Sequence, residues 1–284
     1  MQQVENVSVL GFGTMGAGIA QLIASSGRDV VVLETGQDRI DAGMARVSEF
    51  LAGGVARGKL SETDRADVLS RIRGATSVAE LADVDLVVEA VIEQRAAKRT
   101  LLEEVSATVG AETVIATNTS ALSVSDLATA VRGPGRFAGL HFFNPAPVMG
   151  VIEVVEAIQS DPAVVRALTS FVESLGKQPV VVQDRPGFLV NWLLMPYLND
   201  VVSAYDENLA SAEDIDTAMR LGLGYKLGPL ELLDMIGLDV HAHATTSAYD
   251  ATLDPVFAPP PLLQKLVAAG YHGAKNGRGF RVGS

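Results

Sequence analysis

Apolar residues in the first two-thirds of the chain fall into short runs separated by stretches of helical spacing. Runs at residues 7–10, 29–33, 86–91, 113–117 and 179–182 have the length and β-branched content of buried strands. Between them, residues 17–24, 38–55 and 96–109 carry apolar side chains at helical intervals. Ser25, Ser26 and Gly27 stop the first of these helices, while Gly43 and the pair Gly53-Gly54 loosen the second, each costing about 1 kcal/mol relative to alanine. Ser61 and Asp64 give a capping-box signal for a helix reaching Arg71. A further helix opens at Ser160-Asp161-Pro162 and is closed by Gly176 after Leu175. Strands alternating with helices predict an α/β domain with a mostly parallel sheet and ligands at the strand carboxyl ends. From Asp184 onward strand signals stop and apolar residues keep helical spacing. The expected division is an α/β domain at 1–183 and an all-helical domain at 184–284, which suits a chain of 284 residues.

The first strand runs directly into Gly11, Phe12, Gly13, Thr14, Met15 and Gly16, and the second ends at Glu34, 18 positions after Gly16. Strand, glycine turn, helix, strand and acid together match a dinucleotide-binding fingerprint. The glycines let backbone approach a pyrophosphate at a helix N-terminus. A carboxylate at Glu34 accepts from ribose hydroxyls and repels a 2′-phosphate, so NAD is expected rather than NADP. Glu93, Lys98, Asn118, Ser120 and His141 all fall at or just beyond predicted strand ends. For Asn118 and Ser120 a turn or cap role fits as well as a ligand role.

A β-rich run at 138–143 carries His141, and a second at 151–155 carries Glu153. Asn144, Pro145 and Pro147 interrupt the ladder between them, because proline has no N–H to donate. Folded back as a hairpin, the two runs bring an imidazole and a carboxylate within reach. A carboxylate on one ring nitrogen fixes the tautomer and raises the basicity of the other, which makes a general base; a buried pair that satisfies both groups fits the same pattern. Asn191 stands on an apolar helical surface, as a structural cap or as a substrate contact.

Composition narrows the function classes. A net charge of −12 argues against non-specific nucleic-acid binding. No apolar run reaches the length of a membrane span, and the opening MQQVEN lacks a basic region and an apolar signal core, so a cytoplasmic protein is expected. Without cysteine there is no disulfide or thiolate chemistry. His241 and His243 are two apart in a helical stretch and share no face, and no other cluster suits a metal; none is expected.

Taken in order, GFGTMGAGIA, VVEAVIE, NTSALSVSDLA, FAGLHFFNPAPVMGVIEVV, DRPGFLVNWLLMPYLND, LGPLELLDMIGLD and GAKNGRGF make the chain resemble the short-chain L-3-hydroxyacyl-CoA dehydrogenase (3-hydroxybutyryl-CoA dehydrogenase) family over nearly its whole length. The resemblance implies a Rossmann-type domain, a helical C-terminal domain that forms homodimers, and NAD-dependent interconversion of a 3-hydroxyacyl thioester and its 3-ketoacyl counterpart. It also implies His141 as catalytic base with Glu153 as partner, and Ser120 and Asn191 as groups positioning the substrate oxygen and the imidazole. Glu34 matches the ribose-binding acid, Glu93, Lys98 and Ser120 match cofactor contacts, and Lys275 matches a lysine reaching the cofactor from the second domain. One departure concerns coenzyme A. Where the family commonly places a serine and a following lysine, this chain has Phe50 and Arg57, with Gly53-Gly54 between them and Lys59 close by. An acyl-carrier-protein substrate of a polyketide extender-unit pathway is the alternative carrier. A non-catalytic, crystallin-like member would be expected to lose part of the polar set, and Ser120, His141, Glu153 and Asn191 are all present.

Overall fold

The structure is a computed structural model and describes residues 4–282; the first three residues of the MQQVEN segment lie outside the described residues. The chain divides after Asp184 into two compact units.

In the first unit β1 (Asn6–Leu10), α1 (Thr14–Ser25) and β2 (Asp29–Leu33) form the opening β-α-β element, followed by α2 (Gln37–Ala56), α3 (Glu62–Ser70) and a short strand β3 (Ile72–Ala75). The second half continues with β4 (Leu86–Glu89), α4 (Arg95–Thr108), β5 (Val114–Thr117), α5 (Val124–Ala128), β6 (Phe137–Phe142), β7 (Val151–Glu156), α6 (Pro162–Ser174) and β8 (Gln178–Gln183). One sheet results, in the order β3-β2-β1-β4-β5-β6-β7-β8. Every pairing is parallel except β6 with β7. The chain winds outward from β1 to β3, then returns to the other side of β1 with β4. In open α/β sheets such a reversal marks the place, outside the strand carboxyl ends, where ligands bind. The core is the apolar content of the strands, with Val9, Val32, Val88 and Leu140 fully enclosed, packed against Ile19 and Ile23 of α1 and Leu168 and Val172 of α6.

Helix α2 runs from Gln37 to Ala56, over the stretch expected, and its glycines do more than loosen it. Gly43 and Gly54 make room: a β-carbon at Gly43 would lie 2.0 Å from the Phe12 ring, and one at Gly54 would lie 2.3 Å from Leu60. Space for packing outweighs helix propensity here. The strand β3 was not expected, because Ile-Arg-Gly-Ala has neither alternation nor a β-branched run. It forms because β2 offers an unfilled ladder, and Val30–Leu33 pair with Ile72–Ala75 in register.

The second unit is helical: α7 (Val190–Asp206), α8 (Ala212–Leu223), α9 (Pro229–Ile236), α10 (Leu238–Thr252) and α11 (Pro261–Ala268). Its core gathers Leu198 and Val202 of α7, Leu230 and Leu233 of α9, Leu238 and Leu263, and Phe280 from the C-terminal segment. Among the described residues no helix is long and apolar enough to cross a membrane, and no group of three or more ligating side chains is placed to hold a metal.

His241 lies inside this unit, 4% exposed, with Nε2 3.0 Å from Asn199 Oδ1. Asn199 Nδ2 donates to Thr245 Oγ1 at 2.8 Å, and Thr245 Oγ1 donates to the Phe257 carbonyl at 2.7 Å. Burial pushes the His241 imidazole down to about 4 from an ordinary value of 6.5. The unfolded chain therefore takes up a proton that the folded one refuses, and stability is lost as pH falls from about 6.5 to about 4, with no further loss from this group below that. A shift of this size corresponds to about 3 kcal/mol. Urea denaturation of the wild type and of His241→Gln at pH 7 and pH 4.5 should show a larger acid loss in the wild type; equal losses would remove His241 from the acid sensitivity.

Candidate active site

The carboxyl ends of β1, β2, β4, β5 and β6 lie along one edge because those strands are parallel neighbours. The glycine turn follows β1. Gly11 has φ +88°, and a β-carbon at Gly16 would lie 1.9 Å from the Gly11 carbonyl oxygen, so side chains are excluded at both. Gly13 is the N-cap of α1; nothing lies within 4 Å of the β-carbon position it lacks, and no side chain caps the helix. An open approach to the first backbone N–H groups of α1, which also include Thr14 and Met15, is what a dinucleotide pyrophosphate requires. Glu34 closes the turn from the end of β2, accepting from Phe12 N at 2.7 Å and Thr35 N at 3.1 Å. Phe12 packs behind the turn, 1% exposed, against Gly43 of α2. The residues present fit NAD.

The next strand end is built from charge. Glu89, the last residue of β4, is fully buried and accepts from Lys98 Nζ at 2.6 Å, Thr117 Oγ1 at 2.6 Å and Val91 N at 2.8 Å. Lys98, also fully buried on α4, stands 3.3 Å from Glu93 Oε2. Glu93 Oε1 accepts from Thr119 Oγ1 at 2.5 Å and from Ser120 N at 2.9 Å. Burial pushes the Glu93 carboxyl up, but Thr119, Lys98 and Ser120 together outweigh that and hold it below its ordinary value. Asn118 N donates to the Glu89 carbonyl, and Asn118 Oδ1 accepts from Phe142 N at 2.9 Å, tying the end of β5 to β6. Beyond this loop, Asp184 accepts from Ser123 Oγ, Val124 N and Ser125 N, closing the start of α5.

His141 stands in β6 directly opposite Glu153 in β7. Its Nδ1 lies 2.6 Å from Glu153 Oε2, with the histidine 6% and the glutamate 0% exposed. The Phe143 ring packs on the imidazole at 4.6 Å between centroids. The expected hairpin is therefore formed in the register that joins the two groups. Ser120 is exposed on its loop.

The structure brings Gly11, Gly13, Glu34, Asn118, Ser120 and His141 to one sheet edge. Asn191 and Lys275 belong to the second unit. Asn191 is half-buried in the first turn of α7, and Lys275 is paired with Asp239. Arg57 is the C-cap of α2 and Lys59 lies just past it, both exposed. Sequence reasoning passed over Glu89 as a site residue; its signal was a lone acid ending the apolar run Leu86–Glu89.

The family model described as "3-hydroxyacyl-CoA dehydrogenase, NAD binding domain" matches residues 6–185, and that described as "3-hydroxyacyl-CoA dehydrogenase, C-terminal domain" matches residues 187–282. The chain belongs to the 3-hydroxyacyl-CoA dehydrogenase family. Among relatives of this NAD-binding dehydrogenase family, the chain is 40% identical over 277 residues to the 3-hydroxybutyryl-CoA dehydrogenase of Bradyrhizobium diazoefficiens, covering 98% of this chain and 94% of that protein. It is 41% identical over 285 residues to the mitochondrial hydroxyacyl-coenzyme A dehydrogenase of Sus scrofa, covering 98% and 90%. The crystal structure of the (S)-3-hydroxybutyryl-CoA dehydrogenase from Ralstonia eutropha superposes with a TM-score of 0.96 at 39% identity, covering 99% of this chain and all of that one. Like other 3-hydroxyacyl-CoA dehydrogenases, the chain is an NAD-dependent oxidoreductase.

If the Glu34 carboxylate accepts from the ribose hydroxyls, kcat/KM for NAD should be more than about tenfold that for NADP, the equivalent of 1.4 kcal/mol or more. Glu34→Ala should narrow the gap. Equal use of both cofactors by the wild type would remove Glu34 from the ribose site.

Proposed function

We propose that this dehydrogenase interconverts (S)-3-hydroxybutyryl-CoA, or a closely similar short 3-hydroxyacyl-CoA, and the corresponding 3-ketoacyl-CoA. The observation that carries the reading is the buried His141–Glu153 pair at the same sheet edge as the dinucleotide turn. The names of the relatives support the substrate class.

NAD, when bound, supplies the acceptor for the hydride lost from C3. The protein's part is the proton. With Nδ1 donating to Glu153, the neutral imidazole carries its acceptor lone pair on Nε2 and takes the 3-hydroxyl proton as the C3–O bond becomes a carbonyl. Glu153 remains ionised and stabilises the imidazolium, and its burial keeps water from competing for that contact. Ser120 is the substrate-oxygen donor and a contact to the cofactor. Glu93, Asn118 and the backbone at Gly11, Gly13, Thr14, Met15 and Gly16 complete the cofactor set. For Asn191 as substrate contact and Lys275 as cofactor contact, the proposal rests on the family motifs. Arg57 and Lys59, exposed at the end of α2, are the cations for the nucleotide phosphates of coenzyme A. The first unit is thus the NAD-binding domain, and the second serves substrate binding and homodimer formation. Leu209, Leu221, Leu223 and Met235 of the second unit are exposed in the single chain, which supports the dimer.

His141→Ala should lower kcat by about 10²- to 10⁴-fold while the Kd for NAD changes little. A variant keeping a third of wild-type kcat with 3-hydroxybutyryl-CoA would sink His141 as the base, given that single-turnover measurements show chemistry limiting the wild-type rate.

The coenzyme contact is tested by KM for 3-hydroxybutyryl-CoA and for its pantetheine truncation in wild type, Arg57→Ala and Lys59→Ala. Loss of one exposed charged contact should raise KM for the full thioester by roughly two- to tenfold and leave the truncated substrate untouched. If truncation itself costs less than about threefold, the nucleotide is not read.

A further inference from the structure

The backbone of a glycine turn meets a pyrophosphate, which asks nothing of the side chain between the first two glycines. In this chain that side chain is Phe12, 1% exposed, although the next two residues, Gly13 and Thr14, are exposed. Its ring belongs to the core of the first unit. The buried stripe of α2 runs through Ile40, Gly43, Val47 and Leu51, so Gly43 is a gap between large side chains. The Phe12 ring fills that gap: a β-carbon at Gly43 would lie 2.0 Å from Cδ1, 2.4 Å from Cγ and 2.7 Å from Cε1. Rotation of the ring about its Cβ–Cγ bond leaves Cγ in place and so cannot relieve the overlap. Both polar atoms of the Phe12 backbone are also held. Its N–H donates to Glu34 Oε1 at 2.7 Å, and its carbonyl accepts from Arg46 Nη1 at 3.4 Å, one turn beyond Gly43 on α2. Thr35 N donates to Glu34 Oε2 at 3.1 Å. A carboxylate has about four lone-pair sites. The Phe12 and Thr35 N–H groups occupy two, which leaves one for each of two adjacent ribose hydroxyls.

We infer that Phe12 and Gly43 are positioning residues for the cofactor: the ring, seated in the gap of α2, sets the Phe12 N–H, which aims Glu34 at the adenosine ribose. Helix α2 lies outside the dinucleotide fingerprint, yet on this account it governs NAD affinity and the preference for NAD over NADP. The inference rests on the reading that Glu34 meets the ribose. A methyl group at position 43 lifts the ring and draws the Phe12 N–H away from Glu34. The carboxylate is then free to turn from the ribose, and its repulsion of a 2′-phosphate weakens.

The test titrates NAD and NADP against the full chain, with thermal midpoints for every variant. Gly43→Ala should raise the Kd for NAD about tenfold and that for NADP less than about twofold. Phe12→Ala, which empties the gap, should act in the same direction, by about fivefold on NAD. Combined with Gly43→Ala it removes the overlapping ring, so the double variant should bind NAD no worse than Phe12→Ala alone. In a Glu34→Ala background neither change should add more than about twofold, since residues acting through one group are not additive. If Gly43→Ala does not fold, Phe12→Ala with and without Glu34→Ala decides the matter. A packing role alone would lower the midpoints and leave both Kd values of the folded variants within about twofold of wild type, which overturns the inference. So does an equal rise in both Kd values, or an undiminished effect on Glu34→Ala. An inert Glu34→Ala would overturn the ribose reading and the inference with it. An effective Glu34→Ala beside inert Gly43→Ala and Phe12→Ala would overturn the inference alone.

Discussion

Hydrogen bonding between parallel strands forces each return to the sheet to cross over a face, so six strands, β3 through β6 in sheet order, deliver their carboxyl ends to one edge. Everything chemical in the first unit follows from that alignment and from the reversal beside β1. The glycine turn, Glu34, the Glu89 network and the Asn118 loop are consecutive strand ends brought side by side, although they are spread over more than eighty residues of sequence. The single antiparallel pairing, β6 with β7, has a different result. It sets a residue on each strand face to face, and at 141 and 153 those residues are an acid and a base. A shift of one residue would send Glu153 to the other face of the sheet.

Two kinds of polar burial serve different ends in this chain. His141–Glu153 and the Glu89–Lys98–Glu93 chain lie at the sheet edge, where charge is held in a fixed place. His241, Asn199 and Thr245 lie inside the helical unit and are neutral, each satisfied by the next. Burial of His241 within that set makes the second unit sensitive to acid. Location in the fold, not residue type, separates the two histidines.

The parallel sheet, the dinucleotide turn and the His–Glu hairpin were all legible in the sequence, because each has a local signature: β-branched runs, spaced glycines, or two β-rich runs around a proline turn. What escaped was set by partners distant in the chain. β3 is a strand because β2 has an open edge, and its own residues, with Arg73 and Gly74 in the middle, carry no signal. Gly43 reads as a weak point in its helix until the Phe12 ring is seen against it. Lys98 reads from the sequence as one of several polar residues near strand ends; only the position of α4 against the end of β4 shows that its ammonium is buried beside two carboxylates. Helix α5 is five residues long, too short for periodicity to show.

The carboxylate of Asp184 has a mechanical consequence. It is the last residue of the first unit, and it grips the start of α5 through Ser123, Val124 and Ser125, three residues after Ser120. Tension carried by the Arg185-Pro186-Gly187 segment is therefore not absorbed by a slack tether. It arrives at a bolted joint, and the loop on the far side of that joint is the one that carries Asn118 and Ser120.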